Sequence, residues 1–234
     1  MQGLHFIPMM EGKMKKVMLL HTVKSVYETF GPGLKEVLGP DVVMDNMLDT
    51  FLADDPARHG GVFSTANKMR LVHDLESAQL AEPDVIVVTC SSLSPYIPSL
   101  RPFFNTPIIS IDDSMCRMAL EKGSRIAVLA TAASALEPAL WKLGLFAKES
   151  GSNLELQSFC NPDAIAALKA GDRAEHDRLL LEMAGKVNPK TDAIVLAQAS
   201  MATMREQVEK FTGICTLASP QLCYSEIKSF IAGL

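Results

Sequence analysis

The sequence lacks the features of several large protein classes. No apolar run approaches the roughly 20 residues that a membrane-spanning helix needs. Lys and Arg form no basic stripe, and the net charge is -5, which argues against binding to nucleic-acid phosphates. There is no glycine-rich phosphate loop and no other sign of a nucleotide, pyridoxal phosphate or flavin. We therefore expect no nucleic-acid partner, no membrane partner and no cofactor.

The few cysteines show no spacing typical of disulfides or of a metal site. The five cysteines are Cys90, Cys116, Cys160, Cys215 and Cys223. Their number is odd, no two form a C-x-x-C pair, and no histidine lies at ligand spacing, which excludes a disulfide framework and a zinc site. We expect no metal and interpret the four cysteines other than Cys90 as small buried apolar residues.

The N-terminus does not resemble a secretory signal. The apolar stretch at residues 4–10 is short, contains His5 and Pro8, lacks a basic leader and is followed by charged residues. Residues 1–13 are predicted to be a flexible extension. Together with the unpaired cysteines, this stretch predicts a cytoplasmic location.

What the sequence does contain is an alternation of apolar strands and amphipathic helices. Strands are predicted at residues 16–22, 41–44, 85–88, 106–111, 125–130, 154–159, 193–197 and 214–217. Helices are predicted at residues 25–38, 64–80, 112–122, 134–141, 163–170, 172–186, 201–211 and 221–231. Most strands are continuously apolar, which is typical of parallel sheets covered by helices on both faces. The pattern indicates an α/β protein, built as one barrel or two open sheets; four strands in each half favour two sheets.

One strand end carries a thiol among hydroxyl groups. Residues 87–92 read V-V-T-C-S-S, and Ser94-Pro95 follows, which predicts that a helix opens just after Cys90. Ligands of open α/β proteins bind at such carboxyl strand ends. The N–H groups of a following helix would favour the thiolate and lower the pKa of Cys90 below the value of about 8.5 for free cysteine.

A second strand end in the other half of the chain looks similar. Residues 195–200 read V-L-A-Q-A-S, so Gln198 takes the place that Cys90 has in the first segment. Both segments place small or hydroxyl residues around one larger side chain between a strand and a helix. We call them the Cys90 corner (residues 89–94) and the Gln198 corner (residues 197–200), and they predict two related halves.

At these corners the chain resembles the aspartate/glutamate racemase superfamily, which includes hydantoin racemases, maleate isomerases and arylmalonate decarboxylases. The resemblance also extends to His21-Thr22, to residues 49–54 and to Ala130-Thr131. It implies two similar lobes, each a mostly parallel sheet flanked by helices, with an active site in the crevice between them and a last helix that returns to the first lobe. It places lobe 1 at residues 14–112 plus 219–234 and lobe 2 at residues 113–218. Dimers are common in that superfamily, so the resemblance implies a homodimer.

The chain departs from that superfamily at the Gln198 corner. In members of the superfamily, each lobe commonly supplies one cysteine. Their second corner commonly reads as apolar residues followed by Gly, Cys and Thr. This chain has Ala197, Gln198 and Ala199 instead, so Gln198 replaces the second catalytic cysteine. An amide has no useful acid or base form near neutral pH.

A single thiol restricts the chemistry. Racemisation next to a carboxylate needs one group to remove a proton and another to deliver one to the opposite face. With Cys90 alone, three reactions are open: decarboxylation with protonation on one face, thiolate addition to an activated double bond, and racemisation that uses another acid. His21 is the candidate for that second acid, because imidazole titrates near pH 6.5.

Hydroxyl groups at the predicted strand ends indicate a carboxylate substrate. No Lys or Arg occurs at these corners, so neutral O–H and N–H donors would hold the carboxylate and stabilise an enediolate. Cys90 is the predicted catalytic residue. The predicted substrate-binding residues are His21, Thr22, Asp49, Ser91, Ser92, Thr131, Ser134, Gln198, Ala199 and Ser200.

Three functions are consistent with these residues. The first is a cofactor-independent isomerase that acts on a small amino or dicarboxylic acid, although not with two cysteines. The second is an arylmalonate-type decarboxylase, a lyase, in which Cys90 protonates one face. The third, from a different class, is a carboxylate-binding protein that has kept the fold without the chemistry.

Overall fold

The computed structural model describes residues 14–234, so the predicted flexible extension at residues 1–13 lies outside the described residues. The strands are β1 (Lys15–His21), β2 (Val42–Leu48), β3 (Val85–Val88), β4 (Ile108–Ser110), β5 (Arg125–Ala130), β6 (Glu155–Cys160), β7 (Ala193–Leu196) and β8 (Thr216–Ala218). The α-helices are α1 (Lys24–Leu38), α2 (Phe51–Arg58), α3 (Thr65–Leu80), α4 (Ile97–Leu100), α5 (Asp113–Lys122), α6 (Ala133–Ser150), α7 (Pro162–Lys169), α8 (Arg173–Ala184), α9 (Arg205–Thr212) and α10 (Ser219–Ala232). Shorter 3₁₀ turns cover Ser91–Leu93, Arg101–Phe103 and Ala199–Met204.

The strands form two four-stranded sheets with the same topology. Their orders are β2-β1-β3-β4 and β6-β5-β7-β8, and every pairing is parallel. The central strands β3 and β7 are buried along their whole length, which explains their continuous apolar sequence. The prediction of an α/β fold with two similar lobes is confirmed, and the single barrel is excluded. We refer to the sheet of β1–β4 with its helices as lobe 1 and to that of β5–β8 as lobe 2.

Each sheet is covered on both faces by helices. In lobe 1, Leu34 of α1 packs on one face and Leu75 of α3 on the other. In lobe 2, Leu143 of α6 and Leu180 of α8 occupy the two faces in the same way. Each of these leucines is fully buried, and burial of such a side chain stabilises the fold by about 1.5–3 kcal/mol. These layers hold the carboxyl ends of the strands in fixed positions.

The last helix contacts the apolar core of lobe 1. Ile227 and Cys223 of α10 join the apolar cluster that contains Val17 and Phe30. The Tyr224 hydroxyl donates to the Phe30 carbonyl at 3.2 Å. The chain therefore crosses from lobe 1 to lobe 2 and returns, while the lobe boundaries at residues 112/113 and 218/219 stay a prediction.

Three helices differ from the sequence predictions. Helix α1 begins at Lys24 rather than at Ser25, after Val23, and no side chain caps it. Helix α6 continues past Trp141 to Ser150 and ends at Gly151, whose φ of 66° lies in the left-handed region that glycine adopts at low cost. Helix α2 was not predicted, since Pro56 and the charged residues around it concealed its helical pattern.

None of the helices within residues 14–234 is both long and apolar enough to cross a membrane.

Candidate active site

The carboxyl edge of the lobe 1 sheet brings several predicted residues together. Strands β1, β2 and β3 end next to Thr22, Asp49 and Cys90. The ladder continues to this edge, since the Asp49 N–H donates to the His21 carbonyl at 2.9 Å and the Thr89 N–H to the Leu20 carbonyl at 3.0 Å. Because neighbouring strands lie about 4.8 Å apart, the three side chains share one edge of the sheet.

Cys90 is half-buried at this edge and packs against the apolar cluster of β3 and α3. Burial raises the pKa of the Cys90 thiol, while the nearby Thr22 and Ser92 hydroxyls and the N–H groups of Ser92 and Leu93 oppose that shift. The expectation of a lowered pKa was wrong. No long helix starts at Pro95, because residues 91–93 form a 3₁₀ turn and α4 has only four residues, so desolvation outweighs the backbone N–H groups.

Thr22 provides a hydroxyl beside the thiol. The side chain is 2% exposed, and its Oγ1 has no nitrogen or oxygen partner among residues 14–234. The same hydroxyl lies close enough to Cys90 to favour the thiolate. A buried hydroxyl without a partner loses hydrogen-bond energy, so this donor is available to a ligand oxygen that enters beside the thiol.

His21 is placed behind this edge rather than on it. Its ring is fully buried, with Nε2 at 3.1 Å from Asn46 Oδ1 and Nδ1 at 2.8 Å from Thr89 Oγ1. Burial lowers the pKa of His21, and the Asn46 side chain only partly offsets it. Both ring nitrogens are engaged, so this geometry gives His21 a supporting position under Thr89 and no free proton for a substrate.

Asp49 belongs to a cluster with Arg70 and Asp74 of α3. Arg70 Nε donates to Asp49, and the Phe51 N–H donates to Asp49 Oδ1 at 3.1 Å. Burial alone would raise the pKa of Asp49, but hydrogen bonds from Arg70 and Asp74 lower it. Burial and the neighbouring Asp49 carboxylate raise the pKa of Asp74 to about 7.

Asp49 and Asp74 form a pair of neighbouring carboxyl groups. Asp74 Oδ2 is buried and finds no donor among the described residues, and its hydrogen-bonding neighbour is another carboxylate. Such a pair is stable only when one member is protonated. Sequence reasoning missed Arg70 and Asp74, although their spacing of four residues places both on one face of α3.

The Gln198 corner is fixed by hydrogen bonds within lobe 2. Gln198 Oε1 accepts from the Thr131 N–H at 2.7 Å and from Thr131 Oγ1 at 2.9 Å. Thr131 is fully buried and Gln198 is half-buried. With its oxygen held by Thr131, the amide has its NH₂ group left as the donor for other partners. The next residue, Ala199, packs against the apolar cluster of lobe 1, and Ser200 is exposed.

The lobes also meet at the Cys90 corner. Ser92 Oγ donates to the Ser134 carbonyl at 3.2 Å, in the first turn of α6. The Ser134 side chain is exposed, while Ser91 and Ser92 are half-buried. Thus, of the predicted hydroxyl residues, Ser92 bridges the lobes and Thr22 lies beside the thiol.

Beneath the Cys90 corner lies a buried ionic cluster. Lys142 Nζ donates to Asp112 Oδ1 and to Asp113 Oδ1, each at 2.6 Å, and Arg101 pairs with Asp113. Burial would raise the pKa of Asp113, but Lys142 and Arg101 hold it below its ordinary value. The two carboxylates likewise raise the pKa of Lys142 against the effect of burial. Sequence reasoning missed this cluster; a lysine on the otherwise apolar face of α6 was its only local signal.

The other four cysteines differ in their environments. Cys116 and Cys223 are fully buried, as predicted, and burial raises the pKa of each thiol well above its ordinary range. Cys215 is half-buried, while Cys160 is exposed at the end of β6, contrary to the prediction. Cys160 lies on β6, the edge strand of the lobe 2 sheet, and no strand within residues 14–234 pairs with the outer side of β6.

Two surface cavities lie away from these corners. One of about 470 Å³ lies between α1 and β2, and one of about 260 Å³ lies at the amino end of β5 and β6. Neither is lined by a predicted site residue. Within residues 14–234, no group of three His, Cys, Asp or Glu side chains could hold a metal ion. The geometry of the two corners therefore defines the candidate site.

Comparisons with known proteins agree with this architecture. The structure of glutamate racemase from Thermus thermophilus aligns with a TM-score of 0.69 at 17% identity, over 94% of this chain and 81% of that one. Allantoin racemase from Pseudomonas fluorescens aligns with a TM-score of 0.64 at 14% identity, over 94% and 92%. Unliganded arylmalonate decarboxylase aligns with a TM-score of 0.56 at 14% identity, over 94% of each chain.

At these identities, the structural alignments establish a shared fold. No curated protein matches the sequence significantly. The family assignment comes from the sequence itself, because residues 18–223 match the family described as Asp/Glu/Hydantoin racemase. This match covers most of the chain and includes both corners, so the protein belongs to the Asp/Glu/hydantoin racemase family.

Proposed function

We propose that this protein is a cofactor-independent isomerase in which Cys90 acts at the carbon adjacent to the carboxylate of a small amino or dicarboxylic acid. The observation that carries the proposal is the surroundings of Cys90. The half-buried thiol is next to the unpartnered Thr22 hydroxyl and to the N–H groups of Ser92 and Leu93. These donors suit both a thiolate and a carboxylate oxygen.

The proposed reaction begins with removal of the α-proton. Cys90 as thiolate takes the proton, and the electron pair of the C–H bond moves into the carboxylate, which becomes an enediolate. The Thr22 hydroxyl and backbone N–H groups stabilise the added negative charge. Inversion is completed when a water molecule delivers a proton to the opposite face of the carbon and the proton on the Cys90 thiol passes to solvent.

Gln198 limits the stereochemical result. Its oxygen is held by Thr131, so its NH₂ group can donate a hydrogen bond to a substrate oxygen but cannot act as a base. We therefore propose that Gln198 orients the carboxylate, that Cys90 removes the proton on its own side, and that solvent water provides the proton on the other side. Double-bond isomerisation by thiolate addition is compatible with the same arrangement, since it too needs a single thiol.

One observation favours a decarboxylase as the second candidate. Because burial raises the pKa of Cys90, the resting group is a thiol that can give up a proton. A malonate-type diacid that loses carbon dioxide leaves an enediolate, which needs a proton on one face and no base. A single half-buried thiol, with a neutral amide at the other corner, suits that step.

The test is incubation of the protein with a panel of amino, hydroxy and malonic acids in deuterated water. NMR and chiral chromatography would follow α-hydrogen exchange and configuration, and gas analysis would follow carbon dioxide. Exchange or isomerisation that is lost in Cys90→Ala and kept in Cys160→Ala supports the isomerase. Carbon dioxide release with the same mutational pattern supports the decarboxylase instead.

Two results would contradict an enzymatic role for Cys90. Turnover that survives in folded Cys90→Ala moves the chemistry to another residue. Absence of exchange, isomerisation and carbon dioxide release, with carboxylates that still raise the melting temperature, identifies a carboxylate-binding protein.

A further inference from the structure

A lysine from lobe 2 is buried beneath the loop that follows Cys90. Lys142 lies in the middle of α6, and its side chain is 0% exposed. It contacts Asp112 and Asp113, which lie between β4 and the first turn of α5. Arg101 provides the second positive charge for the two carboxylates. The cluster therefore joins a helix of lobe 2 to the end of the lobe 1 sheet.

Ser94 extends this cluster to the Cys90 corner. The side chain is fully buried, and its Oγ lies 2.7 Å from both carboxylate oxygens of Asp112. The Ser94 N–H donates to the Ser91 carbonyl at 3.0 Å, and the Leu93 N–H donates to the Cys90 carbonyl at 3.1 Å. A continuous set of contacts thus runs from Lys142 through Asp112 and Ser94 to the turn that carries the thiol.

Stability alone does not explain a lysine at this place. Its neighbours on the same helix face, Ala139, Leu143 and Phe146, are apolar and buried. Desolvation of a buried ion pair often cancels its Coulomb energy, and apolar replacements are frequently as stable. Such a cluster provides a fixed geometry instead, because short hydrogen bonds hold each partner in one position.

We propose that Lys142 is a positioning residue: through Asp112 and Ser94 it holds the 91–94 turn, and with it the donors that stabilise the thiolate, beside Cys90. The Ser92 contact to the Ser134 carbonyl ties the same turn to the start of α6. This inference rests on the proposed role of Cys90. Its geometry, however, can be measured without any substrate.

The experiment is the alkylation rate of Cys90 by iodoacetamide as a function of pH, followed on the Cys90 peptide by mass spectrometry. Ser94→Ala removes the link to Asp112 without a change of charge. We expect its midpoint to rise by about half a pH unit or more, with a rate roughly threefold lower below the midpoint, because the N–H groups no longer stabilise the thiolate. Ser94→Thr keeps the hydroxyl and should restore the native midpoint.

Lys142→Met breaks the same link from the side of lobe 2 and should move the midpoint in the same direction. The matched controls are Ser99→Ala, an exposed serine close to the corner, and Lys148→Met, an exposed lysine of α6. Both should leave the midpoint unchanged. A role in stability only would lower the melting temperature of the variants without moving the midpoint.

An unchanged midpoint in folded Ser94→Ala and folded Lys142→Met would overturn the proposal. Loss of folding in both variants would also count against it and would assign Lys142 to stability. The proposed enzymatic function is tested independently of the positioning role. A shifted midpoint in a protein that turns over no acid supports the positioning role of Lys142 and contradicts the enzymatic function. Turnover with an unshifted midpoint supports the enzymatic function and contradicts the positioning role.

Discussion

The Cys90 and Gln198 corners follow equivalent strands of two sheets with the same topology, yet they are supported in different ways. The Cys90 corner lies over a buried cluster of Lys142 with two carboxylates. The Gln198 corner is held by two hydrogen bonds between neutral groups, both from Thr131. Lobe 1 thus places an ionisable thiol above a cluster of buried charges. Lobe 2 holds a neutral amide with neutral groups.

The difference in support matches the proposed division of tasks between the two halves, which share one topology. A thiol must keep its position and its proton affinity, and both depend on the donors around it. An amide whose oxygen is held needs only to present its NH₂ group. We infer that the protein divides proton transfer and substrate orientation between its lobes, and each of the following changes tests that division.

The largest expected effect comes from making the two corners alike. Gln198→Cys places a second thiol at the Gln198 corner and should raise the rate of racemisation at least about 100-fold, since a positioned acid or base contributes that much or more. Chiral chromatography of each enantiomer of the panel acids measures the effect.

Gln198→Ser provides the control, because it also removes the amide but adds no acid of useful pKa. A Gln198→Cys variant that binds carboxylates and still does not racemise them would contradict the proposal that the two corners act on the same substrate.

The supports of the corners should differ in their effect on stability. Lys142→Ala leaves two buried carboxylates without their main partner and should lower the free energy of unfolding by about 3–5 kcal/mol. Thr131→Val removes one hydrogen bond to Gln198 and keeps the backbone donor, so its cost should be about 1 kcal/mol. Urea unfolding curves measure both values.

Lys148→Ala, on the exposed side of α6, should change the free energy of unfolding by less than about 0.5 kcal/mol. Equal losses for Lys142→Ala and Thr131→Val would remove the distinction between an ionic and a neutral support.

The smallest effect concerns the carboxyl pair at the other end of the lobe 1 edge. The folded protein raises the pKa of Asp74 from 3.8 to about 7, so it binds this proton more tightly than the unfolded chain. The stabilisation is complete below about pH 4 and is lost as the pH rises through 7. After allowance for solvent screening, the loss should be about 1–2 kcal/mol.

Asp74→Asn should remove this loss, which unfolding curves at pH 5 and pH 8 would show. His21, whose pKa burial lowers, acts in the opposite sense near pH 6.5, but it does so in both proteins and cancels in the comparison. An identical pH dependence of the two proteins would show that Asp49 and Asp74 share no proton.

The sequence by itself determined the architecture and the position of the thiol. Continuous apolar runs such as Val85–Val88 and Ala193–Leu196 can be satisfied only by burial on both faces, and their alternation with helices leads to parallel sheets. The end of such a run is a local feature, so Cys90, Thr22 and Gln198 could be placed at strand ends from their immediate neighbours. Small irregularities, such as the 3₁₀ turn after Cys90, could not, because Ser-Pro is equally compatible with a helix start.

Only the tertiary structure decided what surrounds those residues. Lys142 meets Asp112 across 30 residues of chain, Ser94 meets Asp112 across 18, and His21 meets Thr89 across 68. No periodicity of the sequence encodes such pairs, since each depends on how two elements pack. The pKa of Cys90 follows the same rule. The sequence places the cysteine, but its proton affinity depends on desolvation and on nearby donors, which are assembled only when lobe 1 has folded.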